Sequence, residues 1–214
     1  MKRLMGILAL SLVLVSSEAV FGDATWNGDT SGGPTLNRPS GLATLSGTAT
    51  AVLFFLQPFY VDLTTQYVFE IDSTAPLTHT DQYALVYANA FSSASPLNNL
   101  IAGDDDYSGS YSILSGNSAS AGEGSRIALG ETSNFGGAAT GLLLTAGIQY
   151  FAVVAGFGNA DVGTFRAALG DGIGGGTVTL GSIPEPSAMT IIASSLLVGL
   201  CRRSRKTSGK RSLN

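Results

Sequence analysis

Along the middle of the chain, apolar positions recur at every second residue. Tyr67, Phe69 and Ile71 alternate with Val68 and Glu70; Tyr83, Leu85 and Tyr87 with Ala84 and Val86; Phe165, Ala167 and Leu169 with Arg166 and Ala168. A period of two places such residues on one face of a β-strand, so each run predicts a strand with one face in a core. Further strands are predicted at Thr48 to Phe54, Phe59 to Asp62, Arg126 to Leu129, Gly141 to Leu144, Tyr150 to Ala155 and Thr177 to Leu180. Tyr150 to Ala155 is apolar on both faces, which predicts a central strand. Turn signals separate the runs: Asn98-Asn99, Gly103-Asp104, Gly136-Gly137, Ala146-Gly147, Gly158-Asn159 and Gly170-Asp171-Gly172. The body carries no 3.6-residue stripe, and many short strands at this spacing predict an all-β fold, a sandwich or barrel.

The two ends read differently. Met1 to Arg3 form a short basic segment, Leu4 to Val15 an apolar run, and Ser17-Glu18-Ala19 a small-x-small cleavage site. This is the three-part layout of a secretory signal peptide over residues 1–19, with cleavage after Ala19, or else after Gly22. At the other end Pro184-Glu185-Pro186 precede the apolar stretch Ala188 to Cys201, and Arg202, Arg203, Arg205 and Lys206 follow it. The apolar stretch has 14 residues. At roughly 1.5 Å per residue these span about 21 Å, short of the roughly 30 Å hydrocarbon core. A basic cluster just beyond an apolar segment stays cytoplasmic, which leaves everything before Pro184 on the outer side and residues 207–214 as a cytoplasmic tail. Both ends therefore predict an exported body over residues 23–182.

Removing the ends changes the charge. Of 11 Lys and Arg only Arg38, Arg126 and Arg166 lie within the body, and of 15 Asp and Glu all but Glu18 and Glu185 do, giving 3 minus 13, or −10. A body this acidic, without a lysine, cannot neutralise a run of phosphates and is not a nucleic-acid binder. The single cysteine, Cys201, excludes an internal disulfide and a cysteine-based zinc cluster.

The order of Pro-Glu-Pro, apolar segment and basic cluster behind a signal peptide resembles the PEP-CTERM sorting signal, here over residues 183–206. The resemblance implies recognition and cutting near Pro184, Glu185 and Pro186 by a membrane-embedded exosortase. Its partners would be signal peptidase and exosortase, with transient inner-membrane association before the body reaches the cell surface or exopolysaccharide matrix. The alternative is a plain single-span anchor. The tail after Lys206 is longer than that family's usual one.

Within the body, Tyr67-Val68-Phe69-Glu70-Ile71, Asp81-Gln82-Tyr83-Ala84-Leu85-Val86-Tyr87, Asp104-Asp105-Asp106, Arg126-Ile127, Leu144-Thr145-Ala146-Gly147 with Tyr150 to Val154, and Gly163-Thr164-Phe165 follow in order. This succession resembles a bacterial pre-peptidase C-terminal domain over residues 48–170. It implies a jelly-roll-like antiparallel β-sandwich of the kind that assists secretion or binds a polymer or calcium. Here no enzyme stands beside it, which leaves a free surface module.

Candidate chemistry is sparse. Asp104, Asp106, Ser108 and Gly109 fit the first half of a calcium loop, with oxygen ligands at alternate positions and a glycine at the turn. Position twelve is Ser115 rather than Glu, so remaining ligands would come from Asp81, Glu123 or Glu131. The alternative is a solvated acidic turn, because adjacent carboxylates need either solvent or a cation between them. Trp26, Tyr107 and Tyr111 offer rings for stacking on sugars, or, for Trp26, a cap on one end of the sandwich. Asn37-Arg38-Pro39 reads as a polar turn whose arginine pairs with an acid.

His79 stands alone in a polar loop, with no Gly-x-Ser-x-Gly elbow. Cys201 falls in the sorting segment, and a body without lysine has no Schiff-base nucleophile. Asp171 to Ser182 reads as a glycine-rich spacer, and Ser108 to Gly124 as a soft loop that would carry partner contacts. These readings favour a non-enzymatic exported surface or matrix protein that binds exopolysaccharide or calcium. The competing readings are a small glycan hydrolase built on paired carboxylates and a ligand-free structural surface protein.

Overall fold

The computed structural model describes residues 23–72, 78, 81–106, 124–132, 134–137, 139–170 and 175–184. The helices expected in the signal and sorting segments lie outside them. Among the described residues the fold is all-β, with no helix. The strands are β1 (Ala24–Asp29), β2 (Thr35–Leu36), β3 (Pro39–Gly41), β4 (Thr44–Leu45), β5 (Val52–Val61), β6 (Thr65–Asp72), β7 (Gln82–Ala88) and β8 (Leu100–Asp104), then β9 (Arg126–Ile127), β10 (Leu142–Leu144), β11 (Gln149–Gly156), β12 (Thr164–Gly170) and β13 (Val178–Leu180).

All pairings are antiparallel. The first sheet runs β1-β12-β6-β10, with β9 pairing β6 beside β10. The second runs β13-β5-β11-β7-β8, with β2 pairing the same edge of β5 as β13, and β3 and β4 form a small separate hairpin. From β5 onward the chain keeps crossing between sheets: β6 lies in the first, β7 and β8 in the second, β9 and β10 in the first, β11 in the second, β12 in the first and β13 in the second.

Register decides the common core. Trp26 lies opposite Ala167, Ala167 opposite Ile71, and Leu169 opposite Phe69, so these side chains share one face of the first sheet. They meet Phe59, Val86, Ala152 and Val154 of the second sheet in one buried cluster. Burying a side chain such as Phe69 or Phe59 stabilises by about 2–3 kcal/mol.

The second sheet is buried on both faces. Ala84 and Val86 point to the common core, while Tyr83, Leu85 and Tyr87 pack with Leu36, Val52, Phe54 and Val153 in a second cluster. The alternation along β7 thus separates two cores rather than a core from solvent. As its two apolar faces require, β11 is central, between β5 and β7.

Four expectations change. The runs at Thr48 to Phe54 and Phe59 to Asp62 belong to one strand, β5, which passes through Pro58. Pro58 O accepts the Gly181 N–H at 2.8 Å, so its nitrogen faces the same edge, just past the end of β13, where no ladder bond is lost. Gly103-Asp104 is not a turn but the end of β8. The ring of Phe135 covers Gly103 so closely that a Cβ would come 2.5 Å from its Cε2. Asp171 to Ser182 is not a spacer throughout, because β13 lies within it and pairs β5. Trp26, in an otherwise polar segment, belongs to β1.

Candidate functional site

The densest polar cluster lies where β8 of the second sheet approaches β9 of the first. Asp104 ends β8 and Arg126 opens β9. Asp104 Oδ2 accepts the backbone N–H of Arg126 at 2.7 Å, and Asp104 is fully buried. Ser125 Oγ lies 2.6 Å from Gln82 O and 2.7 Å from Asp105 O, and its one proton serves either carbonyl. Ser125 O in turn accepts the Ile71 N–H at 3.0 Å. Strands β6, β7, β8 and β9 are joined here by bonds from outside their own ladders.

Two ion pairs lie on the outer face of the first sheet. Arg126 Nη2 reaches Glu131 Oε2 at 3.1 Å with both side chains buried, and Arg166 Nη2 reaches Asp72 Oδ2 at 3.1 Å. Arg166 and Asp72 are direct cross-strand partners, so the ladder itself sets that pair.

The third arginine of the body organises the other side of the corner. Arg38 follows β2, where Arg38 N–H donates to Ala49 O and Arg38 O accepts from Ser46 N–H. Its guanidinium stands 3.9 Å from the centre of the Tyr83 ring and 4.4 Å from that of Phe157. Arg38 is only 5% exposed, whereas Phe157 is 41% exposed and covers it from the solvent side. A guanidinium held between two rings is attracted to both faces, by about 0.5–2 kcal/mol each. Burial pushes the Tyr83 hydroxyl above its ordinary range, against the opposing pull of Arg38.

Asp105 follows Asp104 and is half-buried. Burial, with Asp106 and Asp81 adding to it, pushes its carboxyl up to about 6, while Arg38 opposes the shift. Phe157 N–H donates to Asp81 O at 3.1 Å, which ties the exposed ring to the same corner. The corner thus joins the exposed Phe157, through its backbone, to Asp81, and couples Asp81, Asp105, Asp106 and Arg38 electrostatically; aromatic rings pack on sugar C–H faces and carboxylates accept bonds from sugar hydroxyls.

The residues expected from sequence fall in different places. Trp26 is buried at 9% exposure and stacks on Phe69 with ring centres 5.8 Å apart, which corrects its reading as a ring on a ligand-facing surface. Of the acidic triplet, only Asp106 is exposed. Asp104, expected in a loop, is a buried strand residue bonded to Arg126 N. Ser108, Tyr107, Tyr111, Gly109, Glu123 and His79 lie outside the described residues, as do Glu185, Pro186 and the cluster Arg202, Arg203, Arg205 and Lys206. Pro184 is described and exposed.

Of the expected calcium loop only Asp104 and Asp106 are described, since Ser108, Gly109 and Glu123 lie outside the described residues. Asp104 Oδ2 accepts the Arg126 N–H inside the fold, Asp106 is exposed, and the charge of Arg38 lowers the pKa of the Asp105 carboxyl between them. Glu131, named as an additional ligand, is paired with Arg126. Among the described residues no group of three or more His, Cys, Asp or Glu side chains is placed to hold a metal ion.

Sequence reasoning passed over Arg38, Phe157, Ser125 and Gln149. The available signal is scarcity: in a body with three arginines and no lysine, Arg38 is one of few cations, and its place in a polar turn hides its role at the rings of Tyr83 and Phe157. No family model, curated protein or solved structure matches this chain.

Proposed function

We infer that this chain is an exported, non-enzymatic surface or extracellular-matrix protein, built as a jelly-roll-like sandwich and delivered by a PEP-CTERM and exosortase system. One observation carries this reading. The last strand among the described residues, β13, ends at Leu180, and Pro184-Glu185-Pro186, an apolar segment and a basic cluster follow in that order. A signal-peptide layout at the other end and a body charge of −10 agree with export.

The jelly-roll description rests on the repeated crossing of the chain between sheets and on the antiparallel pairing of every strand. The role assigned to the body is retention of a neutral or weakly charged exopolysaccharide at the corner of Phe157, Asp81, Asp105 and Asp106. A body of −10 would repel a strongly anionic glycan beyond the reach of a single arginine.

Intact mass of the native protein from the cell envelope and from the matrix tests the sorting part. The expected species starts near Val20 or Asp23, ends close to Pro184, and is recovered outside the membrane. A species that retains Ala188 to Asn214 and occurs only in the membrane defeats it. Saturable retention of the body on the cell's own polysaccharide, lost on Phe157→Ala, supports the binding part, and retention unaffected by that change defeats the assigned corner.

A further inference from the structure

We propose that Gln149 is a positioning residue for C-terminal processing: its carboxamide clamps the chain at Gly181 and Ile183 and makes Ile183 the last tethered residue before Pro184. The inference rests on the sorting reading above and adds to it the last tether between the described chain and the sandwich ahead of the processing motif.

Gln149 opens β11, against β5. Its Nε2 has two protons and faces three carbonyl oxygens, Phe59 at 2.9 Å, Tyr150 at 3.1 Å and Gly181 at 3.3 Å. Its Oε1 accepts the Ile183 N–H at 2.7 Å. One side chain therefore bonds β5, β11 and the departing chain together. Gly181 supports the same course, since its N–H donates to Pro58 O at 2.8 Å and its φ of +114° turns the chain out of β13 as few other residues could.

The clamp is the far end of a longer seam. Thr177 N–H donates to Asp62 Oδ1 at 2.6 Å and Asp62 N–H to Thr177 O at 3.2 Å, and β13 then pairs Val178, Thr179 and Leu180 with Val61, Tyr60 and Phe59. Residues 177–183 are thus tied to the sandwich at both ends, with Ser182 exposed between the bonded Gly181 and Ile183. Pro184 has no N–H with which to prolong the seam, and it is exposed.

A peptidase needs its substrate extended and free of intramolecular bonds across the subsites it reads. Upstream of Pro184 each residue back to Thr177 except the exposed Ser182 is bonded or strand-paired, and Ser182 is flanked by the bonded Gly181 and Ile183, so binding the chain across several subsites there requires the seam to open first. A cut at or after Pro184 leaves the body intact. The clamp therefore fixes the upstream limit of processing, and it brings the folded body to within a residue or two of the processing motif.

The test compares the full chain in detergent with Gln149→Met, which keeps the length of the side chain and removes both polar ends, and with Gln57→Met as a control. Gln57 lies on the same sheet, and its carboxamide bonds only to the neighbouring Pro58 O. Each protein is digested with proteinase K under native conditions, and the C-terminal residue of the limit product is read by mass spectrometry. The expected limit product ends at or just after Pro184 for the wild type and for Gln57→Met, and retreats past Gly181 for Gln149→Met. Ile183→Pro, which removes the donor without touching β11, is expected to give the same retreat and serves if Gln149→Met does not fold. Unchanged end points in both clamp variants would overturn the proposal.

The mature C-terminus from cells provides the second arm. A wild-type end upstream of Pro184 also overturns the proposal, whereas an end at or after Pro184 that becomes ragged in Gln149→Met supports it. If cells do not cut the chain at all while the proteinase K end point still moves, the sorting reading fails, and with it the processing role, but the clamp stands as the terminus of the fold.

Discussion

The carboxylate of Asp104 and the backbone N–H of Arg126, 22 residues apart in sequence, meet at 2.7 Å inside the protein and join an edge strand of one sheet to an edge strand of the other. A buried N–H deprived of its acceptor costs about 1–3 kcal/mol, and more where the lost acceptor was charged. Asp104→Ala is therefore expected to destabilise by about 2–3 kcal/mol. Asp104→Asn, whose Oδ1 can still accept the bond, should lose about half as much. Urea unfolding of the two variants checks this, and equal losses would mean that the acceptor is not what matters at this position.

Asp105 sets the sign of the pH dependence near neutrality. Its folded-state pKa, about 6, lies above the ordinary value of 3.8, chiefly through burial and then through Asp106 and Asp81, with Arg38 opposing. The native state therefore binds the proton more tightly than the unfolded chain, and the ionised carboxylate weakens the fold. Stability should rise as pH falls from 7.5 to 5, by a few degrees in Tm, and be lost again as pH climbs through about 6. Asp105→Asn should melt higher than the wild type at pH 7.5 and lose that slope between pH 5 and 7.5. Thermal melts in matched ionic strength decide it, and a wild-type Tm that falls between pH 7.5 and 5 contradicts the assignment.

The parts of the fold legible in sequence were those where period two coincided with burial. Tyr67 to Ile71, Phe165 to Leu169 and the doubly apolar Tyr150 to Ala155 became β6, β12 and the central β11. Strands with few apolar residues were not legible. In β1 the core-facing positions are Ala24, Trp26 and Gly28, and in β8 a glycine lies under a ring supplied from Phe135, 32 residues on in the numbering. Such glycines are chosen by a partner distant in sequence, so local pattern reads them as turns. The corner around Arg38 was invisible for the same reason, since Tyr83 and Phe157 reach it from two different strand ends.

Gly28 gives a direct test of close packing within the first sheet, where it lies opposite Phe165 on the neighbouring strand. A Cβ at this position would lie 2.3 Å from Cζ of the fully buried Phe165. Overpacking of a filled core typically costs about 1–3 kcal/mol, which is expected for Gly28→Ala. Introduced into a Phe165→Leu background, the same change should cost measurably less, because the ring that it strikes is gone. A double-mutant cycle by chemical unfolding checks the coupling, and simple additivity would show that the ring is not the obstacle.

Calcium should not stabilise the body through the acidic triplet. Asp104 is engaged by a backbone N–H, Glu131 by Arg126, and Arg38 places a positive charge beside Asp105. A ligand that binds only the native state at a concentration of 100 times its Kd adds about 2.7 kcal/mol. Melting in millimolar calcium and in chelator is therefore expected to agree within about one degree. A rise of several degrees, abolished by Asp106→Asn, would restore a cation site.

Arg38 should act on the fold in two separable ways, by packing and by charge. Arg38→Met keeps a long apolar stem beside Tyr83 and Phe157 but removes the guanidinium, whose charge lowers the Asp105 pKa. Without it the Asp105 carboxyl should rise above about 6, so the loss of stability with increasing pH should continue to higher pH than in the wild type. Arg38→Lys should keep the pH midpoint close to that of the wild type, since a charge remains, yet lose stability because an ammonium does not stack between two rings as a planar guanidinium does. The two variants thus predict opposite patterns: a moved midpoint for Met, a lowered Tm with an unmoved midpoint for Lys. Tm measured at half-unit steps from pH 5 to 8 separates them. If both variants lower Tm equally and neither moves the midpoint, Arg38 acts through packing alone and its charge does not govern Asp105.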